Sequence, residues 1–202
     1  MRFLRTGALI GAAAVSLWAG PAEVLAQTGP GFRFALGWQD MTGDMGEVMD
    51  GAVDAEFSIM YPVKALRLGA GANWVSFAMD DYEESWSQVR FHFLVGYPFQ
   101  VNEWLRPYVE GRAVYRRLRP EGDRYYGGEE ELLGDFVASG SSVEGVFGTE
   151  FILGPKASID VSAALNRFSV SPDLSEEGLG SIDSGTAWRF HVGVAWFPVN
   201  ER

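Results

Sequence analysis

Histidine is the residue type in this chain that is best suited to acid–base chemistry, and it occurs twice. His92 and His191 each lie in a run that alternates apolar with polar residues, and both fall on the polar side of the run. The sequence has no cysteine, so two histidines do not complete a transition-metal ligand set. The glycines form no phosphate-binding loop between a strand and a helix. We therefore expect no metal, no cofactor and no catalytic residue, and we interpret both histidines as hydrogen-bonding partners in a polar network.

Six acids and six arginines share the polar side of these runs with the two histidines. Such a balance is what an enclosed interior needs, because charges removed from water must be paired. The sequence therefore predicts a lumen filled by ion pairs, without a wide aqueous pore. Ordinary solvent-facing charges on a soluble barrel are the alternative. The predicted lumen charge network comprises Arg33, Asp54, Glu56, Arg67, Arg90, His92, Glu110, Arg112, Arg116, Glu144, Glu150, Asp160, Arg189 and His191.

These side chains lie in eight runs of sequence in which apolar residues alternate with polar or small residues, which is a period of two. In the last run, Thr186 to Pro198, the bulky residues Trp188, Phe190 and Val192 share one face, and small or polar residues share the other. A period of two is typical of strands, and no helical stripe competes with it. Each run is close to the roughly 9 to 11 residues that a tilted strand needs to cross a bilayer. The sequence thus predicts an all-β fold, an eight-stranded antiparallel up-and-down transmembrane β-barrel.

Short and long connectors alternate between the runs, which is typical of outer-membrane barrels with short periplasmic turns and longer extracellular loops. This order places both termini on the periplasmic side. The long segment at residues 118–139 is expected to extend the fifth and sixth strands. The short connectors are Tyr61 to Ala65, Gln100 to Trp104 and Gly154 to Lys156, and the mostly longer ones are residues 41–50, 80–85, 118–139 and 171–185.

The long connectors are acidic. The chain has a formal net charge of −11, and these four connectors together carry −15. An acidic outer rim excludes nucleic acid as a partner. It leaves open a surface ligand at the loops, or divalent cations, although no loop has the Asp/Asn/Gly spacing of a calcium site.

The first 26 residues have the pattern of a secretory signal. Arg2 and Arg5 form a basic start, an apolar stretch runs from Gly7 to Trp18, and Val24-Leu25-Ala26 supplies small residues for cleavage. No later segment reaches the roughly 18 continuous apolar residues of a spanning helix. We therefore divide the chain into a signal peptide, residues 1–26, and one outer-membrane β-barrel domain, residues 27–202.

The bulky side of the strands is expected to face outward. An eight-stranded barrel has an interior only wide enough to be filled by side chains, so most Trp, Phe, Tyr and Leu residues must point toward lipid. Aromatic residues near both ends of the strands would then form two interfacial girdles. The predicted girdle comprises Trp38, Tyr61, Trp74, Trp86, Tyr97, Trp104, Tyr115, Trp188 and Trp196.

The closing strand Phe190-His191-Val192-Gly193-Val194-Ala195-Trp196-Phe197, with the signal segment and the eight runs, resembles the small outer-membrane β-barrel families typified by OmpA transmembrane domains and OmpX-like proteins. The resemblance spans the mature chain. It implies a monomer in the Gram-negative cell outer membrane, contact with outer-membrane lipids and handling by the barrel-assembly machinery during biogenesis. It also implies a structural or surface-interaction role without enzymatic activity.

Two other functions remain open at this point. One is a lipid-A-modifying outer-membrane enzyme, since deacylases of the PagL type use a His and a Ser two residues apart on one strand. Here His191 is followed by Gly193 and His92 by Leu94, so that nucleophile is missing. The other is a soluble lipocalin-like ligand carrier, which would place its apolar face inward. The sequence leaves open a small conductance and the oligomeric state.

Overall fold

The computed structural model of the protein describes residues 29–47, 51–79, 82–121, 138–171 and 184–198. These residues form eight strands and one short 3-10 helix, Asp44–Glu47, which follows the first strand. None of the described helical residues forms a helix long and apolar enough to cross a membrane. The strands are β1 (Gly31–Thr42), β2 (Ala52–Val63), β3 (Leu66–Met79), β4 (Tyr82–Pro98), β5 (Leu105–Glu121), β6 (Ala138–Ile152), β7 (Ala157–Ser169) and β8 (Ser184–Trp196).

The eight strands close into one antiparallel barrel in which each strand pairs with the next along the chain. Closure is made by β1 and β8, whose ladder runs from Phe32 opposite Trp196 to Thr42 opposite Thr186. Every described strand therefore has a hydrogen-bonded neighbour on both sides, as a barrel in lipid requires. The predicted eight-stranded up-and-down architecture is confirmed.

Burial alternates along the strands and shows which face is inside. On β8, Arg189 and His191 are buried. Phe190, which lies between them, and Val192, which follows them, are each 60% exposed. The same inversion occurs on β4, where Arg90 and His92 are buried and Phe93 is 75% exposed. The barrel thus has a polar interior and an apolar exterior, the reverse of a soluble ligand carrier.

Tight turns join the strands at the end of the barrel where β1 begins and β8 ends. Lys64 and Ala65 connect β2 to β3, and Lys64 adopts a left-handed φ of 56°. In the β4–β5 turn the side-chain Oδ1 of Asn102 accepts hydrogen bonds from the backbone N–H groups of Trp104 and Leu105, at 3.0 and 2.8 Å. A short side chain that bonds its own downstream backbone fixes such a turn locally.

The opposite end of the barrel differs from the prediction at one connector. β3 continues to Met79 and β4 already begins at Tyr82, so residues 82–85, which were expected in a longer connector, belong to β4. Acidic composition concealed the start of β4, because Glu83 and Glu84 resemble loop residues in sequence. The fifth and sixth strands do extend into residues 118–139, since β5 reaches Glu121 and β6 begins at Ala138.

Several features expected from the sequence lie outside the described residues. These are the signal segment at residues 1–26 and most of the acidic connector positions, at residues 48–50, 80, 81, 122–137 and 172–183.

Candidate functional site

All fourteen side chains of the predicted lumen charge network lie inside the barrel. Each of these residues is at most 5% exposed. They come from all eight strands, because the inward-facing positions of a closed sheet converge on one axis. Strand parity alone therefore brings together residues that are far apart in sequence.

Arg112 on β5 occupies the centre of the lumen charge network. Its guanidinium donates to Glu56 at 2.8 Å and to Glu110 at 2.8 Å, and it reaches Glu144 at 3.4 Å. Arg33 donates to both oxygens of Glu110, each at 3.0 Å. Paired, two-point contacts of this kind are the strongest available to arginine and carboxylate, and they lock the side chains of β1, β2, β5 and β6 together.

A second group of contacts joins β2, β4, β6 and β8 on the loop side of Arg112. Arg90 donates to Glu144 at 2.5 Å. Arg189 donates both to Asp54, at 2.9 Å, and to Glu144. His191 contacts the same carboxylate of Asp54 through Nε2 at 2.9 Å. Each carboxylate in this group is thus shared by two or more donors, which compensates its removal from water.

A separate cluster near the turn end contains a residue that the sequence analysis missed. Glu150 accepts two hydrogen bonds from Arg67, at 2.6 and 2.9 Å, and one from Arg106 at 2.6 Å. The aromatic ring of Phe197 lies 5.4 Å from the Arg67 guanidinium and 5.3 Å from that of Arg106. Arg106 has the same parity as Glu110, so extending the fifth run back across Pro107 would have found it.

Including Arg106, the described lumen holds seven arginines and six carboxylates. The balance of six and six expected from the sequence therefore becomes an excess of one positive charge among the described residues, with the two histidines neutral.

Trp86 is the one predicted girdle residue that the structure places elsewhere, and that prediction was wrong. It is 2% exposed and lies inside the barrel, because it shares the inward parity of Gln88 and Arg90 on β4. The other eight predicted girdle aromatics face outward and are 42–57% exposed. Residue type suggested an interface position for Trp86, but the alternation of β4 determines its direction.

Trp86 belongs to an apolar layer, here called the outer cap, that fills the loop end of the lumen. A second, smaller layer at the turn end contains Met60, Leu94, Ala195 and Phe197. The outer cap therefore closes the loop end of the lumen charge network, whereas the smaller layer lies among its turn-end members, since the Phe197 ring contacts Arg67. The outer cap comprises Met41, Met45, Ala52, Val75, Phe77, Trp86, Leu118, Ala138, Phe168, Val170 and Ala187.

One serine–histidine pair in the lumen resembles part of a catalytic arrangement. Ser58 Oγ lies 3.2 Å from His92 Nε2, across β2 and β4, and it donates to Glu56 at 2.9 Å. Nucleophile activation also needs an acid on the second histidine nitrogen, but Nδ1 of His92 has no hydrogen-bond partner among the described residues. Ser58 and His92 are 0% and 2% exposed. The pair forms a buried hydrogen-bonding link between β2 and β4.

Metal binding finds no support in the part of the chain that the structure describes. No group of three or more His, Asp or Glu side chains there is arranged to hold a metal ion. Most of the carboxylates that come together in the lumen already accept hydrogen bonds from arginine, as Glu150 and Glu144 do, and Asp160 lies 3.9 Å from Arg33.

Comparison with known proteins gives a match in structure but not in sequence. No protein-family model matches the chain, and no curated protein is significantly similar to it. The crystal structure of Neisserial surface protein A aligns with a TM-score of 0.63 at 12% sequence identity, covering 84% of this chain and 97% of that one. The chain has the fold of the small outer-membrane β-barrels.

A second solved structure supports the same fold. The crystal structure of Ail, the attachment invasion locus protein of Yersinia pestis, aligns with a TM-score of 0.54 at 12% identity. The alignment covers 83% of this chain and 97% of Ail. In both cases the likeness concerns the small outer-membrane barrel as a whole, since almost the full length of each relative is matched.

Proposed function

We propose that this protein is an outer-membrane β-barrel that spans the membrane with a closed lumen and acts at the cell surface through its acidic loops. The observation that carries the proposal is the inverted burial of the strands, with arginines and carboxylates inside and large apolar side chains outside. Val143, Phe93 and Phe147 are 77%, 75% and 61% exposed on that exterior.

The exterior fits a lipid environment. Soluble monomers rarely expose apolar patches larger than a few hundred Å². Here Phe34 on β1 and Phe190 on β8 are 61% and 60% exposed, and comparable residues on every strand continue the apolar surface around the barrel. Hydrocarbon chains would cover this band, and the exposed aromatics Trp38 and Trp196 would lie near its two edges.

The interior supports a structural rather than a channel role. Arg33, Arg112 and Arg189 cross the lumen to reach carboxylates on other strands, and the outer cap covers the loop end. An ion crossing the barrel would have to displace several of these contacts at once.

A surface role follows from the charge distribution of the sequence. The outer connectors carry the whole acidic excess, whereas the described lumen has one positive charge in excess. Of the two structural relatives, which share this fold, one is a surface protein and the other is an attachment invasion locus protein. We therefore propose that the loops bind a surface partner, with basic partners favoured over anionic ones.

Cell fractionation tests the membrane proposal. The protein should remain in carbonate-washed outer membranes, and after folding in detergent its gel mobility should shift on heating. Recovery in the soluble periplasmic fraction would exclude the proposal and favour a soluble carrier.

The surface role and the absence of catalysis need separate measurements. The full protein should bind a surface partner in a pull-down, and a variant with residues 122–137 replaced by a short Gly/Ser linker should not bind it.

The lipid A profile of a producing strain should equal that of a deletion strain, because the Ser58–His92 pair is buried and has no orienting acid among the described residues. A changed lipid profile would favour the lipid-A-modifying enzyme instead.

A further inference from the structure

Arg116 on β5 lies in the lumen just below the outer cap, and it is the described lumen arginine most poorly matched by negative charge. It is 0% exposed. Its Nη2 donates to the neutral side chains of Ser142, at 3.0 Å, and Asn166, and its guanidinium carbon lies 3.6 Å from the ring centre of Phe168. None of the carboxylates in the described part of the chain forms an ion pair with it.

Among the described residues, several buried N–H donors around Arg116 have no acceptor. They are Nε and Nη1 of Arg116 itself, Nε of Arg90, and the side-chain amide nitrogens of Gln88 and Gln39; the Oε1 of Gln88 is the one buried acceptor of this group that also has no partner there. Arg90 lies directly opposite Arg116 in the β4–β5 ladder, and Gln88 follows two residues before Arg90 on the same inward face. Gln39 belongs to the same level, since its Oε1 accepts a hydrogen bond from Arg90 at 3.3 Å.

These side chains form a donor-rich layer between the outer cap and the carboxylates of the lumen. Directly opposite and diagonal residues on paired strands have Cβ atoms within about 5–8 Å, which long side chains can bridge. Arg116, Arg90, Gln88 and Gln39 are therefore neighbours in one part of the lumen. We name this region the Arg116 layer.

A buried guanidinium does not lose its charge to avoid the cost of leaving water. Arginine remains protonated in proteins, so an uncompensated buried arginine destabilises the fold. Each buried donor left without an acceptor destabilises it further, because its hydrogen bonds to water are lost. The nearby carboxylate of Glu144 is already shared by Arg90, Arg112 and Arg189, so it does not supply the missing charge.

We infer that the Arg116 layer binds one monovalent inorganic anion of the halide class. A single halide ion accepts N–H donors from several directions and needs no donor of its own, which matches a layer with donors in excess. The stoichiometry follows from the described lumen, where seven arginines face six carboxylates, so that one negative charge makes it neutral. Water molecules alone would accept the hydrogen bonds but would leave the charge uncompensated.

Crystallography with bromide locates the ion directly. The full barrel, refolded and crystallised in sodium bromide, should show an anomalous peak at hydrogen-bonding distance from the free nitrogens of Arg116 and from the Gln88 amide. Density there for water molecules only, without an anomalous peak, would overturn the inference. A loop carboxylate occupying the same position would overturn it as well.

Chloride-dependent stability tests the same site in solution. The protein is refolded in detergent and unfolded with urea, in sodium chloride or in sodium gluconate of equal ionic strength. At a chloride concentration ten times its Kd, binding to the folded state should raise the folding equilibrium constant about tenfold over that in gluconate. Equal stability in the two salts would contradict the inference.

Variants connect the chloride effect to the Arg116 layer. Arg116→Gln should abolish the difference between the two salts, because it removes the central cation. Gln88→Leu, which keeps every charge, should reduce it and serves as the second test if Arg116→Gln does not fold. Arg117→Gln is the matched control, because Arg117 is the next residue on β5 but faces outward and is exposed, and it should keep the full chloride effect. An unchanged chloride effect in both lumen variants would place the anion elsewhere and refute the assignment. The inference does not depend on the surface role proposed for the loops.

Discussion

Arg112 is the residue whose contacts hold the lumen charge network together. It bridges Glu56, Glu110 and Glu144, which lie on three different strands. Buried ion pairs of this kind are often no more stable than apolar packing, but removing one partner leaves the other charges without compensation.

We expect Arg112→Leu to lower the free energy of unfolding by about 3–5 kcal/mol, because three buried carboxylates lose their shared cation. Urea titration in detergent micelles, followed by gel mobility, measures this change. Arg167→Leu is the control, since Arg167 is exposed on the outward face of β7, and it should change stability by less than about 0.5 kcal/mol. Similar values for the two variants would show that the network does not contribute as described.

Trp86 allows a test of side-chain direction in lipid. In vesicles containing brominated lipid, a variant that retains only Trp188 should be strongly quenched, because Trp188 is 46% exposed on the outer face. A variant that retains only Trp86 should be quenched weakly, because Trp86 is 2% exposed in the outer cap. Equal quenching of the two variants would show that Trp86 faces lipid, as a residue of the aromatic girdle would.

The alternation of residues along a strand was sufficient to predict which side chains face the lumen. The alternation on β4 and β8 placed Arg90, His92 and Arg189 in the lumen without any structural information. Trp86 was misplaced because its residue type was given more weight than its parity. The unmatched donors of the Arg116 layer could not be predicted, because pairing across the lumen depends on three-dimensional distances that parity does not contain.

At the scale of elements, β6 shows how narrow the interior is. A Cβ atom at Gly148, which faces inward, would lie 2.3 Å from the Tyr108 ring, whereas nothing lies within 4 Å of the corresponding position at Gly145, which faces outward. Tyr108 in turn accepts a hydrogen bond from Arg33 at 3.0 Å. Gly148 therefore makes room for a side chain that supports the lumen charge network.

We expect Gly148→Val to destabilise the barrel by roughly 1–3 kcal/mol, because overpacking forces Tyr108 out of its position. Gly145→Val makes the same chemical change on the same strand and should have little effect, since the added methyl groups face lipid. The urea concentrations at the unfolding midpoints of the two variants are compared, and the midpoint of Gly148→Val should be the lower one. A larger loss at Gly145 than at Gly148 would mean that the assigned faces of β6 are reversed.

Strand existence could be read from the sequence, but strand ends could not. The alternating apolar and polar residues identified all eight strands, because one face of each strand is apolar and exposed while the other is polar and buried. The first residues of β4 and β5 were missed, since Glu83 and Glu84 resemble a loop and Pro107 interrupts the expected pattern. Both strands are 17 residues long and so continue past the roughly 9 to 11 residues that the bilayer requires.

At the scale of the whole molecule, the layered interior predicts low permeability. The outer cap fills the loop end of the lumen, and ion pairs and the layer around Phe197 fill the rest of it down to the turn end. We expect planar-bilayer recordings of the reconstituted barrel to show no large, long-lived open state. A stable channel of porin-like size would show that the ion pairs do not fill the lumen in the membrane.

A spin-label scan of β8 can show whether the apolar face of the strands contacts lipid. The chain has no native cysteine, so labels can be placed singly at Trp188, Phe190, Val192 and Val194 by substitution with cysteine. In lipid vesicles these sites should be accessible to oxygen, which dissolves in lipid, and protected from a water-soluble nickel chelate. Preferential access of the nickel chelate at all four positions would show that this face meets water, and it would contradict the account.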